Sequence, residues 1–292
     1  MTSPRADVAV IGLGAIGLPV AINAAMAGFR VQVWNRNARR TVAAVHAGAT
    51  VADSPGDIDA PIVLSVLPDA SQLDEVLTAG LEGALRPGDV LVVMSTVSPV
   101  AMTRLAARLA AAGVHVIDAP VSGGDVGAQQ GTLSIMVGGA AEDLEQCRSV
   151  LESVGSRIEH MGALGTGQMA KACNQVIVGA TLAAIGEALT IGRAAGLRAD
   201  QLLDVLGAGM AGSRAMEIKR EKYLSGDFTP GGNSANQLKD LRIALDAASS
   251  LGCPLPLTSV VTGLYQRLAD SGRADLDHSA IVLTTEEGLL PN

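Results

Sequence analysis

"VIGLGAIGLP" occupies Val10–Pro19, and "RVQVW" follows at Arg30–Trp34 after an alanine-rich stretch. Gly12, Gly14 and Gly17 stand in GxGxxG spacing directly between a predicted strand and a predicted helix. In that context the spacing has mechanical meaning. The first glycine permits a tight turn, the second lets the backbone approach a pyrophosphate, and the third lets the helix pack close to the strand. Without the flanking elements it would be only a glycine turn. The uncharged run Val8–Phe29 is also apolar enough to suggest a signal peptide or membrane span. Gly12, Gly14, Gly17, Pro19 and Asn23 interrupt it, and Asp7 stands where a leader carries positive charge. It reads as strand, turn, helix, strand.

Short β-branched runs continue through the first half: "DVAVI" (Asp7–Ile11), "PIVLSVL" (Pro61–Leu67), "VLVVM" (Val90–Met94), "VHVID" (Val114–Asp118) and "LSIMVG" (Leu133–Gly138). Their alternation with alanine-rich helical stretches predicts βαβ units and a mostly parallel sheet covered on both faces. After residue 160 the pattern changes. Gly167–Ala195 contains no proline and no strand-like run, and reads as one helix of about 42 Å at about 1.5 Å per residue. Further helices are predicted over Ala199–Leu206, Gln237–Ser250, Pro256–Ala269 and Ser279–Glu287. The fold class is α/β: an N-terminal, mostly parallel sheet flanked by helices over residues 1–163, then an all-α domain over residues 164–292 that begins with the long helix. The boundary falls near "HMGALGTG" (His160–Gly167), whose glycines suit a hinge.

Composition narrows the partners. The chain has 292 residues, 48% apolar and 2% aromatic, with a net charge of −8, which supplies a sizeable core and disfavours nucleic acid as a partner. Cys147, Cys173 and Cys253 are far apart and lack CxxC spacing, as expected of reduced, core-packed thiols in a cytoplasmic protein. His46, His115, His160 and His278 form no HxxxH or HExxH, so no metal is assigned.

At the end of the second strand, an acid would accept from the ribose 2′-hydroxyl of NAD. This chain has Asn35 and Arg36 there, with Arg39 and Arg40 behind. A guanidinium suits a 2′-phosphate, and no carboxylate repels it, so NADP is favoured over NAD. The other reading of Arg36 is a solvated surface residue.

"DAPVSGGDVGAQQGTLSIMVGG" (Asp118–Gly139) starts at the carboxyl end of a predicted strand, the edge where open α/β sheets bind ligands. Ser122, Gly123 and Gly124 could turn N–H groups and a hydroxyl toward a carboxylate; a bare glycine-rich connection fits the same letters. Lys171, Asn174 and Gln175 share one face of the long helix and could meet one substrate oxygen, although a lysine on such a helix commonly reaches to water. Lys239 with Asp240 reads equally as a surface ion pair.

These residues resemble the β-hydroxyacid dehydrogenase family over nearly the whole chain. Its motifs occur in order: "GLGAIG" (Gly12–Gly17), "DAPVSGGDVGAQQGTL" (Asp118–Leu133), "GTGQMAKACNQ" (Gly165–Gln175) and "KDLRIALD" (Lys239–Asp246). The resemblance implies an N-terminal Rossmann domain with a doubly wound sheet, joined by the long helix to the all-α domain, and a cofactor turn of Gly12, Leu13, Gly14, Ala15, Ile16 and Gly17, with further cofactor contacts at Leu67, Pro68 and Thr96. It implies Lys171 as acid/base, Asn174 as a substrate-orienting partner, and Ser122, Gly123 and Gly124 as the carboxylate grip. Lys239 and Asp240 would lie beside nicotinamide and substrate, and the protein would be a homodimer or homotetramer.

"NQVIVGATLAAIGEALTIGRAAGL" (Asn174–Leu197), "GAGMAGS" (Gly207–Ser213) and "DHSA" (Asp277–Ala280) look most like tartronate semialdehyde reductases within the family. The implied partner is a small carboxylate-bearing aldehyde or hydroxy acid, with 3-hydroxyisobutyrate, glyoxylate or succinate semialdehyde chemistry as alternatives. Lys171 argues against the related imine reductases, and chain length against 6-phosphogluconate dehydrogenase. Gly232 departs from relatives, which commonly carry a bulky apolar residue there. A non-enzymatic nucleotide-binding module is the competing class; Lys171 and Asn174 speak against it.

In reduction the Lys171 ammonium would stabilise the developing alkoxide and protonate it. Oxidation at neutral pH asks for a drier setting or a nearby cation such as Lys239, because a free lysine titrates near about 10.4.

Overall fold

The computed structural model describes residues 5–286. All six predicted strands are present: β1 (Val8–Ile11), β2 (Val31–Trp34), β4 (Ile62–Ser65), β5 (Val90–Val93), β6 (His115–Asp118) and β8 (Leu133–Gly138). Three more complete the sheet: β3 (Thr50–Val51), β7 (Val121–Ser122) and β9 (Gly155–Gly162). The order is β3-β2-β1-β4-β5-β6-β8-β7, with β9 also paired to β8. The first six are parallel, and β8 runs antiparallel to β6 and β7. This is the order of a dinucleotide-binding sheet, whose topological switch lies between β1 and β4.

Every residue of β1, β4 and β5 is buried, which explains their unbroken apolar runs. The two faces separate by the period-two rule. Val8, Val10, Leu64 and Val92 pack with Val20 and Ala24 of helix Gly17–Met26. On the other face Ala9, Ile11, Val63 and Leu91 pack with Leu73, Met102 and Leu109, from helices Ala70–Val76 and Pro99–Ala110.

By internal contacts the chain forms two compact units, Met1–Lys171 and Ala172–Asn292, and the division falls within helix Thr166–Ala194. That helix is long and apolar enough to cross a membrane by length and composition, but Leu182, Ile185 and Leu189 pack into the core of the second unit. The second unit is helical: Ala199–Gly207, Arg214–Ser225, Ser234–Ser250 and Pro256–Leu268 follow.

Helix Arg214–Ser225 has no counterpart among the predicted elements. Its core positions are Met216, Lys219 and Tyr223, and the charge in the middle hides the apolar stripe. The helix expected over Ser279–Glu287 is a 3₁₀ turn, His278–Val282, followed by Leu283–Glu286; Glu287 lies outside the described residues. The cysteines also differ from expectation, since Cys147 is buried but Cys173 and Cys253 are exposed. Burial and nearby Asp143 push the Cys147 thiol up to about 12.

Candidate active site

The carboxyl ends of the parallel strands carry the candidate cofactor residues. Gly12 turns the chain after β1 with φ +90°, and a Cβ on Gly17 would overlap the Gly12 carbonyl oxygen. Both glycines are therefore demanded by the turn itself. Gly14 is not. A Cβ there would meet nothing within 4 Å, so among the described residues the protein leaves that approach open. The open backbone at Gly14, beside the start of helix Gly17–Met26, fits a dinucleotide pyrophosphate.

Asn35 braces this turn from the end of β2. Its Oδ1 accepts from the Leu13 N–H at 2.8 Å, and its Nδ2 donates to the Asn37 carbonyl at 2.9 Å. Arg36 points elsewhere, pairing with Glu75 of helix Ala70–Val76 (Nη2 to Oε2 2.6 Å) with both side chains more than half exposed. Leu67 follows β4, and its N–H donates to Ser95 Oγ at 3.2 Å; Pro68 is next in the chain, and Thr96 follows Ser95 after β5.

Ser122 lies in β7 opposite Ser134 of β8. Gly123 and Gly124, at φ +128° and +64°, lead into helix Gly124–Gln130. Their amides are at a helix start, where anions are favoured, and Asp125 stands in the same turn.

Lys171 lies on the second turn of helix Thr166–Ala194 and is only 8% exposed. Buried Asp118, the last residue of β6, anchors the helix start: Gly165 N–H donates to Oδ1 and Gln168 N–H to Oδ2, each at 2.6 Å. Burial pushes the Asp118 carboxyl above its ordinary range against the pull of these amides. Its fit needs two glycines, because a Cβ on Gly138 would come 2.5 Å from Oδ1 and one on Gly167 2.7 Å from Oδ2. The "HMGALGTG" segment expected as a hinge is therefore tied down: His160–Gly162 are sheet, and Gly165 is held by Asp118.

Within the second unit, three of the candidate residues meet. Gln175 Nε2 donates to Asp240 Oδ2 at 2.7 Å and to Gln237 Oε1 at 3.2 Å, and Gln237 Nε2 returns a bond to the Gln175 carbonyl. Lys239 Nζ forms an ion pair with Asp240 Oδ1 at 3.2 Å, and that oxygen is buried with no hydrogen-bond partner among the described residues. Asn174 precedes Gln175 on the helix and is half-buried.

Residues 7–162 match the family model described as the NAD binding domain of 6-phosphogluconate dehydrogenase, and residues 165–284 match that described as the NAD-binding of NADP-dependent 3-hydroxyisobutyrate dehydrogenase. The chain is 36% identical to the 2-(hydroxymethyl)glutarate dehydrogenase of Eubacterium barkeri, over 95% of this chain and 94% of that one. It is also 36% identical to the 2-hydroxy-3-oxopropionate reductase of Escherichia coli, over 94% and 96%. The chain belongs to the β-hydroxyacid dehydrogenase family. Its fold agrees with a solved member, the Mycobacterium tuberculosis 3-hydroxyisobutyrate dehydrogenase with L-serine, at TM-score 0.84 and 32% identity over 97% of this chain and 99% of that one. This β-hydroxyacid dehydrogenase is an NAD(P)-dependent oxidoreductase.

Three polar residues of this family member escaped the reading of its sequence as site residues: Asp118, Gln168 and Gln237. Asp118 and Gln168 lie inside quoted motifs and Gln237 two residues before one, but only the fold distinguishes a buried polar side chain from a solvated one. Gly232 accepts from the His278 N–H at 2.9 Å, and a Cβ on it would meet only the His278 ring, at 3.9 Å. The position has room for a side chain that this chain does not use.

Proposed function

We propose that this protein uses NADPH to reduce a short 3-oxo acid, a semialdehyde of the tartronate semialdehyde kind, or catalyses the reverse oxidation, with Lys171 as acid/base. The observation that carries the reading is the burial of Lys171 on a helix turn anchored by Asp118 to the strand ends that also bear the glycine turn, Leu67 and Thr96. Two relatives named for hydroxy or oxo acids support an acid-bearing substrate.

The backbone of Gly12, Leu13, Gly14, Ala15, Ile16 and Gly17 holds the pyrophosphate, with Asn35 bracing it. Arg36 exchanges Glu75 for the 2′-phosphate, and Leu67, Pro68 and Thr96 contact the rest of the cofactor. When bound, the reduced nicotinamide supplies a hydride.

Ser122 Oγ and the Gly123 and Gly124 amides grip the substrate carboxylate. As the carbonyl oxygen gains negative charge, the Lys171 ammonium donates a hydrogen bond and then its proton. In oxidation the neutral amine takes that proton back. Asn174, at i+3, orients the same oxygen, while Gln175 holds Asp240, which keeps Lys239 on the substrate side. Residues 1–163 serve the cofactor and supply the carboxylate grip; residues 164–292 serve the rest of substrate binding and self-association as a dimer or tetramer.

The test is kcat/KM for tartronate, methylmalonate and succinate semialdehydes, glyoxylate and neutral aldehydes, with each cofactor. Acids should exceed neutral aldehydes of similar size by about 10²-fold, the weight of charge-assisted hydrogen bonds, with tartronate semialdehyde and NADPH best. Equal rates for neutral aldehydes would remove the carboxylate grip.

A further inference from the structure

One fully buried side chain joins the lysine helix to the loop after β5. Gln168 Oε1 accepts from the Val97 N–H at 3.0 Å, and its Nε2 donates to the Ser95 carbonyl at 2.8 Å. The two main-chain groups flanking Thr96 are thus satisfied by a single carboxamide. Ser95 extends the chain of bonds, since its Oγ accepts from the Leu67 N–H after β4. The Gln168 main chain is fixed independently, its N–H donating to Asp118 at the end of β6. Lys171 lies one turn further along the same helix face.

We propose that Gln168 is a positioning residue for the reaction, setting the Thr96 loop and the Lys171 turn in one fixed relation, with Asp118 and Ser95 as its anchors. The proposal rests on the reading of Thr96 as a cofactor contact and Lys171 as the proton donor. The chemistry of the site asks for a carboxamide. One neutral group must accept from an N–H and donate to a carbonyl where no water reaches, and an unpaired partner there is costly. Glutamate would set a carboxylate oxygen against the Ser95 carbonyl. Methionine would fill the volume and make neither bond.

Gln168→Met and Gln168→Glu in the full chain separate positioning from packing. The measurements are the NADPH Kd by nucleotide fluorescence, kcat and aldehyde KM at saturating NADPH, the circular dichroism spectrum and the thermal midpoint. Both variants should raise the Kd about tenfold and lower kcat about tenfold or more, with aldehyde KM within about twofold, because small misplacements of reacting groups are amplified in rate. Parental Kd and kcat, whatever the thermal midpoint, overturn the proposal and leave Gln168 a packing residue. A change in aldehyde KM alone also overturns it.

If neither variant folds, Gln168→Asn keeps the carboxamide but withdraws it by one methylene from the Val97 N–H and the Ser95 carbonyl. It should raise the NADPH Kd about threefold or more, the order of one neutral hydrogen bond; an unchanged Kd overturns the proposal. The Kd arm does not involve the amine of Lys171. Normal turnover in Lys171→Ala would therefore retire the proton donor while the Gln168 effect on NADPH still stood or fell by itself.

Discussion

The Arg36 guanidinium donates to the Glu75 carboxylate, Nη2 to Oε2 at 2.6 Å, at the outer edge of the β2 end. Asn35, the preceding residue, is turned inward to the Leu13 N–H, so Arg36 is the first cationic side chain after β2. A pair this exposed contributes little to stability, but its carboxylate competes with any phosphate for the guanidinium. Arg36→Ala should raise the KM for NADPH about tenfold and that for NADH less than about twofold, as loss of a charge-assisted contact predicts. Glu75→Gln should do the opposite, lowering the NADPH KM several-fold. Equal shifts for both cofactors would show that Arg36 does not read the 2′-phosphate.

Lys171→Ala is expected to leave the NADPH Kd unchanged and to lower kcat by about 10²-fold to 10⁴-fold, the usual weight of one acid/base group. Steady-state turnover with the best semialdehyde, beside fluorescence titration of NADPH, measures both. Near-parental kcat would take the lysine out of the proton transfer.

Two glycines in different settings should respond oppositely. A Cβ on Gly167 would overlap the Met136 carbonyl oxygen and crowd Asp118, whereas one on Gly14 would meet nothing within 4 Å. Gly167→Ala should cost about 1–3 kcal/mol of stability, as overpacking does. Gly14→Ala should change stability by less than about 0.5 kcal/mol yet weaken NADPH binding about tenfold by obstructing the pyrophosphate. Thermal melts with and without NADPH separate the two. A Gly14→Ala protein that bound NADPH normally would contradict the assigned role of that backbone.

The sheet was legible where physics forced a residue type. Val8–Ile11, Ile62–Ser65 and Val90–Val93 are buried on both faces, so no polar residue fits and the apolar run is unmistakable. Strand Gly155–Gly162 is exposed along most of its length, and "GSRIEHMG" carries no such constraint. Helix Arg214–Ser225 was hidden because Lys219 occupies a core position. At the site, the glycine turn declares itself by spacing. Asp118 and Gln168 do not, since their partners are main-chain groups that any sequence supplies. Asp118 ends the apolar strand "VHVID", and a carboxylate closing a buried run is the one signal that pointed to it.

Lys219 occupies that core position because of Asp277. Nζ lies 2.8 Å from Asp277 Oδ2, which also accepts from the Gly231 N–H, while Oδ1 accepts from the Ser279 N–H and hydroxyl at 3.0 and 2.7 Å. Burial alone would push this carboxyl up, but His278, Lys219 and the Ser279 hydroxyl bring it down to about 2. An unfolded aspartate titrates near about 3.9, so the folded state holds its charge more firmly. The stabilisation is complete above the unfolded value, on the order of 2–3 kcal/mol, and is lost as pH falls through about 4 toward about 2. Asp277→Asn strands a buried ammonium and should cost about 3–5 kcal/mol at neutral pH. Its unfolding free energy should also vary less with pH between about 5 and about 2 than that of the parent. Urea melts across that range decide the matter: parallel profiles for parent and variant would mean that Asp277 is not the group whose protonation loosens the helical unit.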